Sequence, residues 1–362
     1  MTSGGGPRTH GVVYDAGVVF RGPGYRVATR PDLDRRVLRR EAQILRDEVH
    51  ASAVRVVASD ARRLDEVAST FLETGLDVWY SPAVFNYGPA ETARRLVEMA
   101  EHAERLRARA GTAVTFVAGS ELSLFMSGLL EGADVAERLH RLRDDPTTID
   151  ADDLSLFLDD VVDDVRRVFA GPLSYAALPF ERIDWSRFDL VGVDHYRDDR
   201  VKDRYLEVLA PHVASGRPVV VTEVGMATYE GAAHRGFLGT GITDLRSVWL
   251  HQLPLVGRLV RVRNRPGFVR DEAAQAREID ETLDVLEGSE ISGWFVTSFS
   301  QPAGLYDPDP RYDLDMGSMS LVKGLARGVV SRRWPDLPLD AKEVFDVVAR
   351  HYASTGDAPG VA

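Results

Sequence analysis

Short apolar runs rich in β-branched residues alternate along the chain with longer stretches of helical periodicity. The runs fall at 11–15, 53–57, 76–80, 113–117, 173–177, 190–194, 218–222 and 291–297. Several are apolar throughout, as strands covered on both faces require. Between them the spacing predicts helices over 31–50, over 60–72 with Asp60 as cap, and over 91–110, 150–169, 199–214 and 270–286. Leu96, Ala100, Ala103 and Leu106 recur at three-to-four spacing in one, and Leu154, Phe157, Val161, Val165 and Val168 in another. Two further helices, over 321–331 and 340–353, are expected after the last strand. Eight strands alternating with helices predict an α/β fold, a (β/α)8 TIM barrel, with long βα loops after strands 4, 7 and 8. A doubly wound open sheet is the alternative. It is disfavoured because no glycine-rich phosphate loop follows a strand, and Gly239-Thr240-Gly241 has no strand before it. The barrel is expected as a single domain over residues 11–352, with residues 1–10 and 353–362 as flexible tails.

Composition narrows the chemistry. The chain has 362 residues, 44 of them Lys or Arg against 56 Asp or Glu, so the formal charge is −12. A phosphate-binding surface needs clustered cations, so nucleic acid is not the expected partner. There is no Cys, which excludes disulfides, thiolate nucleophiles and Cys-ligated metals. The nine His show no i, i+4 pair, and the acidic run Asp307-Pro308-Asp309-Pro310-Arg311-Tyr312-Asp313-Leu314-Asp315 lacks the glycine turn and terminal Glu of a calcium loop. No metal and no cofactor are expected. No apolar run approaches the ~20 residues that span a bilayer, and the N-terminus carries no apolar secretory core. The expectation is a cytoplasmic monomer or homodimer that acts on a small molecule and binds no membrane. Arg outnumbers Lys 41 to 3, the bias of a high-GC, actinobacterial-type genome.

Two carboxylates stand out by position. Glu121 closes the fourth run and Glu223 the seventh, so in a barrel both reach the C-terminal mouth, where catalytic groups sit. Such a pair can supply a general acid and a nucleophile to an acetal. Each also has a structural reading: Glu121 as a helix cap, Glu223 as an ion-pair partner of Arg55. Asp15 and Asp194 close other runs, and His195 follows directly. Trp79 and Tyr80, with Phe85 and Asn86 just after them, can shape a substrate site, as can Trp294 and Ser298 around the eighth run. Trp249 is a candidate lid residue in the loop after strand 7.

These motifs, in this order, resemble the clan of barrel glycoside hydrolases that carry an acid/base Glu on strand 4 and a nucleophilic Glu on strand 7. Thr222-Glu223-Val224-Gly225 resembles the strand-7 signature. Phe188 to Tyr196 resembles strand 6, and the resemblance implies that the Tyr196 hydroxyl contacts the nucleophile. It implies that Arg55 steadies that nucleophile and that Trp294 is a sugar platform. It further implies a retaining mechanism on a small, sugar-containing substrate, with Glu223 as nucleophile and Glu121 as acid/base. Ser120 stands where the clan has Asn for the sugar 2-hydroxyl, and this departure opens the way to a modified substrate. The run Asp313 to Lys323 is similar to actinobacterial barrel proteins labelled abortive-infection proteins. Two other readings accompany this one. One is a non-hydrolytic biosynthetic enzyme, a cyclase, dehydratase or transferase, that uses the same carboxylates. The other is a non-catalytic ligand-binding or phage-defence barrel.

Overall fold

A computed structural model describes residues 8–22, 25–144, 151–253 and 257–356. The outer parts of both expected tails, and the Asp150 start of the fourth helix, lie outside the described residues. Eight parallel strands close into a barrel: β1 (Thr9–Gly17), β2 (Ala53–Ala58), β3 (Asp77–Pro82), β4 (Val114–Ser120), β5 (Leu173–Ala177), β6 (Val191–Asp194), β7 (Val219–Val224) and β8 (Gly293–Thr297). Neighbours around the barrel follow chain order, and β1 closes it by pairing with both β2 and β8. The fold is therefore the (β/α)8 barrel. Each strand begins and ends within three residues of its apolar run.

Period-two alternation explains the layers. Val54 and Val56, Val78 and Tyr80, and Val219 and Val221 point outward into the core between sheet and helices. Val13, Trp79, Val117, Ala176, Val220 and Phe295 point inward and fill the barrel. The helices α1 (Arg35–Asp47), α2 (Ala61–Glu73), α3 (Pro89–Ala110) and α6 (Ala151–Val168) cover the first half, with α4 (Leu122–Phe125) and α5 (Val135–Asp144) inserted after β4. The second half carries α7 (Ala210–Ala214), α8 (Leu245–Gln252), α9 (Glu272–Glu287) and α10 (Glu343–Gly356). Asp60 caps α2 as expected, accepting from the Arg63 amide at 2.9 Å.

Three segments depart from expectation. The stretch 199–214 is a 3-10 segment, Lys202–Glu207, followed by the short α7 with Pro211 in its first turn. Proline brings no amide hydrogen for a preceding turn, so one continuous helix is broken there. The stretch 321–331 is a strand, Val322–Gly324, paired antiparallel with Leu339–Ala341, and Gly328 at φ 88° turns the chain. A hairpin, Val19–Gly22 with Tyr25–Ala28, rises from the end of β1 where no strand was expected. At the ends, Thr9 and His10 already pair with Gly293 and Trp294, and α10 continues to Gly356.

The register breaks near the C-terminal ends of strands: between Asp15 and Gly17 on β1, Val117 and Ser120 on β4, and Val193 and Asp194 on β6. Such irregularities re-aim side chains, and they fall where the candidate site residues emerge.

Candidate active site at the barrel mouth

Arg55 is the hub. It is the inward residue of β2 between outward Val54 and Val56, and only 1% of it is exposed. Its guanidinium donates to Asp194 Oδ1 at 3.2 Å, Glu223 Oε1 at 3.1 Å, Ser120 Oγ at 2.9 Å, Ser81 Oγ at 3.3 Å and the Thr222 carbonyl at 3.2 Å. The planar fork can reach side chains from β3, β4, β6 and β7 at once. Ser120 in turn donates to Asp194 Oδ2 at 3.4 Å. Its hydroxyl is thus part of this network.

Glu223 takes its second hydrogen bond from the Tyr196 hydroxyl, and the Phe237 ring stacks on Tyr196 at 6.1 Å. Burial raises its carboxyl to about 7, with Asp194 adding to the rise and Arg55 and the Tyr196 and Thr297 hydroxyls pulling back. Its side chain is 19% exposed, whereas Arg55 and Asp194 are sealed. Of the two acids that Arg55 binds, Glu223 is therefore the one that an incoming molecule can reach.

Glu121 is built differently. It has φ 47° and ψ 44°, a left-handed backbone that is rare without glycine. Its amide donates to the Ala176 carbonyl at 2.8 Å, and its own carbonyl accepts from the Leu124 and Phe125 amides. The next residues are pinned too. The Leu122 amide donates to the Tyr175 hydroxyl at 2.8 Å, and the Ser123 amide to Glu181 at 3.0 Å. Strain of this kind persists only where the surroundings over-determine it, and it clusters at functional sites. The residue is 8% exposed and its side chain makes no capping hydrogen bond. Burial raises it well above the usual carboxylate range, and the charges of Asp194, Glu223 and Glu181 push the same way, with Arg55 opposing. Asp194 is also raised by burial, with Arg55 pulling back. Arg55 thus binds two acids, Asp194 and Glu223, while Glu121 lies outside its hydrogen bonds and is the one raised well above the usual carboxylate range.

Other expected residues find different places. Trp294 is fully buried on the outward face of β8, near its N-terminal end, with His10 at 4.9 Å. It is not at the mouth, because alternation turns Phe295 inward instead. Tyr80 likewise faces outward, and its hydroxyl donates to Asp65 of α2 at 2.9 Å. Trp79 does point into the barrel and packs on Phe295 at 5.0 Å. Asn86 commits its amide to the loop after β4, accepting from Arg138 at 2.8 Å and Ser127 at 3.0 Å. Phe85 stacks on Phe125 of that loop at 3.9 Å. Asp15 sits at the end of β1 and holds the turn into the hairpin through the Gly17 amide and the Thr29 hydroxyl, both at 2.8 Å. His195 is buried. Its Nε2 faces the Tyr205 carbonyl at 2.9 Å and its ring stacks on Tyr205 at 4.3 Å, while burial lowers its pKa, so it stands as a neutral Nε2–H donor. Ser298 donates to the Ser300 carbonyl at 3.1 Å. Trp249 lies on α8, largely exposed.

The acids of the 307–315 run are paired with cations. Arg261 meets Asp307, Arg311 meets Asp309, and Arg270 meets both Asp313 and Asp315. Ser81, Thr297 and Glu181 enter the site without having been expected. Ser81 and Thr297 stand at strand ends, which is the signal that could have found them. Glu181 lies in the loop after β5 and accepts from Ser123, Tyr175 and the Leu178 amide.

The fold and mouth define a (β/α)8 barrel with an acidic, arginine-centred C-terminal face. No protein-family model matches the chain, and no curated protein matches it in sequence. Solved structures do. A GH113 β-1,4-mannanase aligns over 96% of this chain and 99% of its own, with TM-score 0.57 and 13% identity. The GH113 β-mannanase of Alicyclobacillus acidocaldarius aligns over 96% and 98%, with TM-score 0.56 and 14% identity. The β-glucuronidase of Ruminococcus gnavus aligns over 96% of this chain and 50% of its own, with TM-score 0.55 and 12% identity. The likeness is one of fold: this chain has the barrel architecture of these glycoside hydrolases. Among the described residues, no helix is long and apolar enough to cross a membrane.

Proposed function

We propose that the protein is a retaining glycosidase acting on a small glycoside, with Glu223 as nucleophile and Glu121 as acid/base. One observation carries the reading. Two carboxyls at the ends of β4 and β7 sit in unlike environments, one held by Arg55 and Tyr196, the other buried without a cation in contact. Unlike environments are what assign acid and base roles to like groups. In the first step the Glu223 carboxylate forms a bond to the anomeric carbon while the bond to the leaving oxygen breaks. Glu121 gives its proton to that oxygen. Glu223 then carries no charge, so the proton affinity of Glu121 falls. Glu121 next takes a proton from water, which attacks the anomeric carbon and releases Glu223.

The test compares Glu223→Gln and Glu121→Gln on aryl glycosides of graded leaving-group acidity. Glu223→Gln is expected to lower kcat by at least about a thousandfold on all of them. Glu121→Gln is expected to spare the most acidic phenols, which leave without a proton. Full activity in Glu223→Gln would remove the assignment. Products from the natural acceptor then separate hydrolysis from transfer or cyclisation by the same pair.

A further inference from the structure

Against the end of β6, where Asp194 and Tyr196 line its wall, lies a cavity of about 360 Å3. Loops after β4, β5, β6 and β7 build it. Leu139 and Leu142 of α5, Leu178, Val201, Phe237 and Leu238 give it an apolar wall. Asp194, His195 and Tyr196 also line it, and Asp194 and Tyr196 belong to the network around Arg55 and Glu223. The helix α5 belongs to the same βα loop that begins with Glu121.

Apart from the exposed Arg200, the polar side chains of the wall are already engaged within the protein. Asp194 is held by Arg55, and Asp198 by Arg200 at 3.0 Å. His195 faces the Tyr205 carbonyl, and the Tyr196 hydroxyl donates to Glu223. A sugar unit seated here would lose water from its hydroxyls and find few partners, which is costly. A flat apolar group would lose little and would bury its surface against leucine, valine and phenylalanine. A volume of this size is ample for one such group and lies within the range of small-molecule pockets.

We infer that this cavity receives an apolar aglycone, so that the substrate is the glycoside of a hydrophobic alcohol or phenol rather than an oligosaccharide. The substrate statement rests on the glycosidase reading; the apolar preference of the cavity does not.

The experiment uses the full chain with 2-naphthol as probe, read by titration calorimetry. Wild type and Glu223→Gln are expected to bind it equally. Leu139→Asp and Leu238→Asp, both at partly exposed positions that tolerate a charge, are expected to weaken binding at least tenfold without changing the melting temperature. On 2-naphthyl and methyl glycosides of the same sugar, the same two substitutions are expected to abolish the naphthyl preference in kcat/KM. No binding of 2-naphthol, or binding that neither substitution moves, would overturn the inference whatever the enzyme hydrolyses. If 2-naphthol binds as expected but no glycoside is cleaved, the cavity assignment stands and the glycosidase reading falls.

Discussion

Glu121 shows how much one residue's backbone can decide. Its left-handed backbone directly follows the last residue of β4, and burial with three neighbouring acids raises its carboxyl well above the usual carboxylate range. Glu223, on β7, is partly exposed, and Arg55 and Tyr196 favour its anion, which prevails above about pH 7. The proposed chemistry therefore has an acid limb near pH 7 in kcat/KM, set by Glu223. Tyr196→Phe removes a hydrogen bond that favours the anion and is expected to move that limb up by about one pH unit. A pH–rate profile that stays in place would show that the hydroxyl does not hold the nucleophile. Glu121, Glu223 and Arg55 were legible in the sequence because they stand at or inside apolar runs, where a charged residue is conspicuous. Trp294 and Tyr80 were misread because a shift of one residue along a strand exchanges the two faces. Ser81 and Thr297 carried only the weak signal of standing at strand ends, where small hydroxyl residues are common.

At the scale of elements, the strands and most helices were legible because their signals are local. Asp60 and Asp271 cap α2 and α9, the latter accepting from Ala274 at 2.8 Å, and period-two runs mark the barrel. The segments 199–214 and 321–331 were not legible in the same way. Each carries apolar spacing compatible with a helix, and Pro211 or the glycines Gly324 and Gly328 settle the matter only with the tertiary partners in place. One strand contact is tight enough to test. Gly192 lies on β6 where an added Cβ would sit 2.3 Å from the Tyr175 carbonyl of β5. Gly192→Ala is therefore expected to part β5 from β6 and to cost about 1–3 kcal/mol or more, read as a fall in the urea midpoint. An unchanged midpoint would mean that the two strands can separate freely.

At the scale of the whole molecule, the mouth stores protons. Glu121, Glu181, Asp194 and Glu223 are all raised above their ordinary values, in each case chiefly by burial. The folded protein thus keeps protons that the unfolded chain releases. Their contribution to stability is full below the ordinary carboxylate range and is lost as pH rises; for Glu223 the window runs from 4.5 to about 7. Glu121→Gln abolishes one such site while keeping its shape. It is expected to stabilise the protein by about 1–3 kcal/mol at pH 8 and by little at pH 5, in melts at the two pH values. Equal effects at both would deny Glu121 its proton. The sequence by itself determined the alternation that makes a barrel and the placing of two acids at strand ends, because both are properties of neighbouring residues, and parallel strands carry their C-termini to one mouth. Only the tertiary structure decided which two acids Arg55 binds, which acid is raised furthest from its ordinary range, and which aromatic rings face the core. Those outcomes are sums of burial and charge over β2, β3, β4, β6, β7 and β8, and no single stretch of chain contains them.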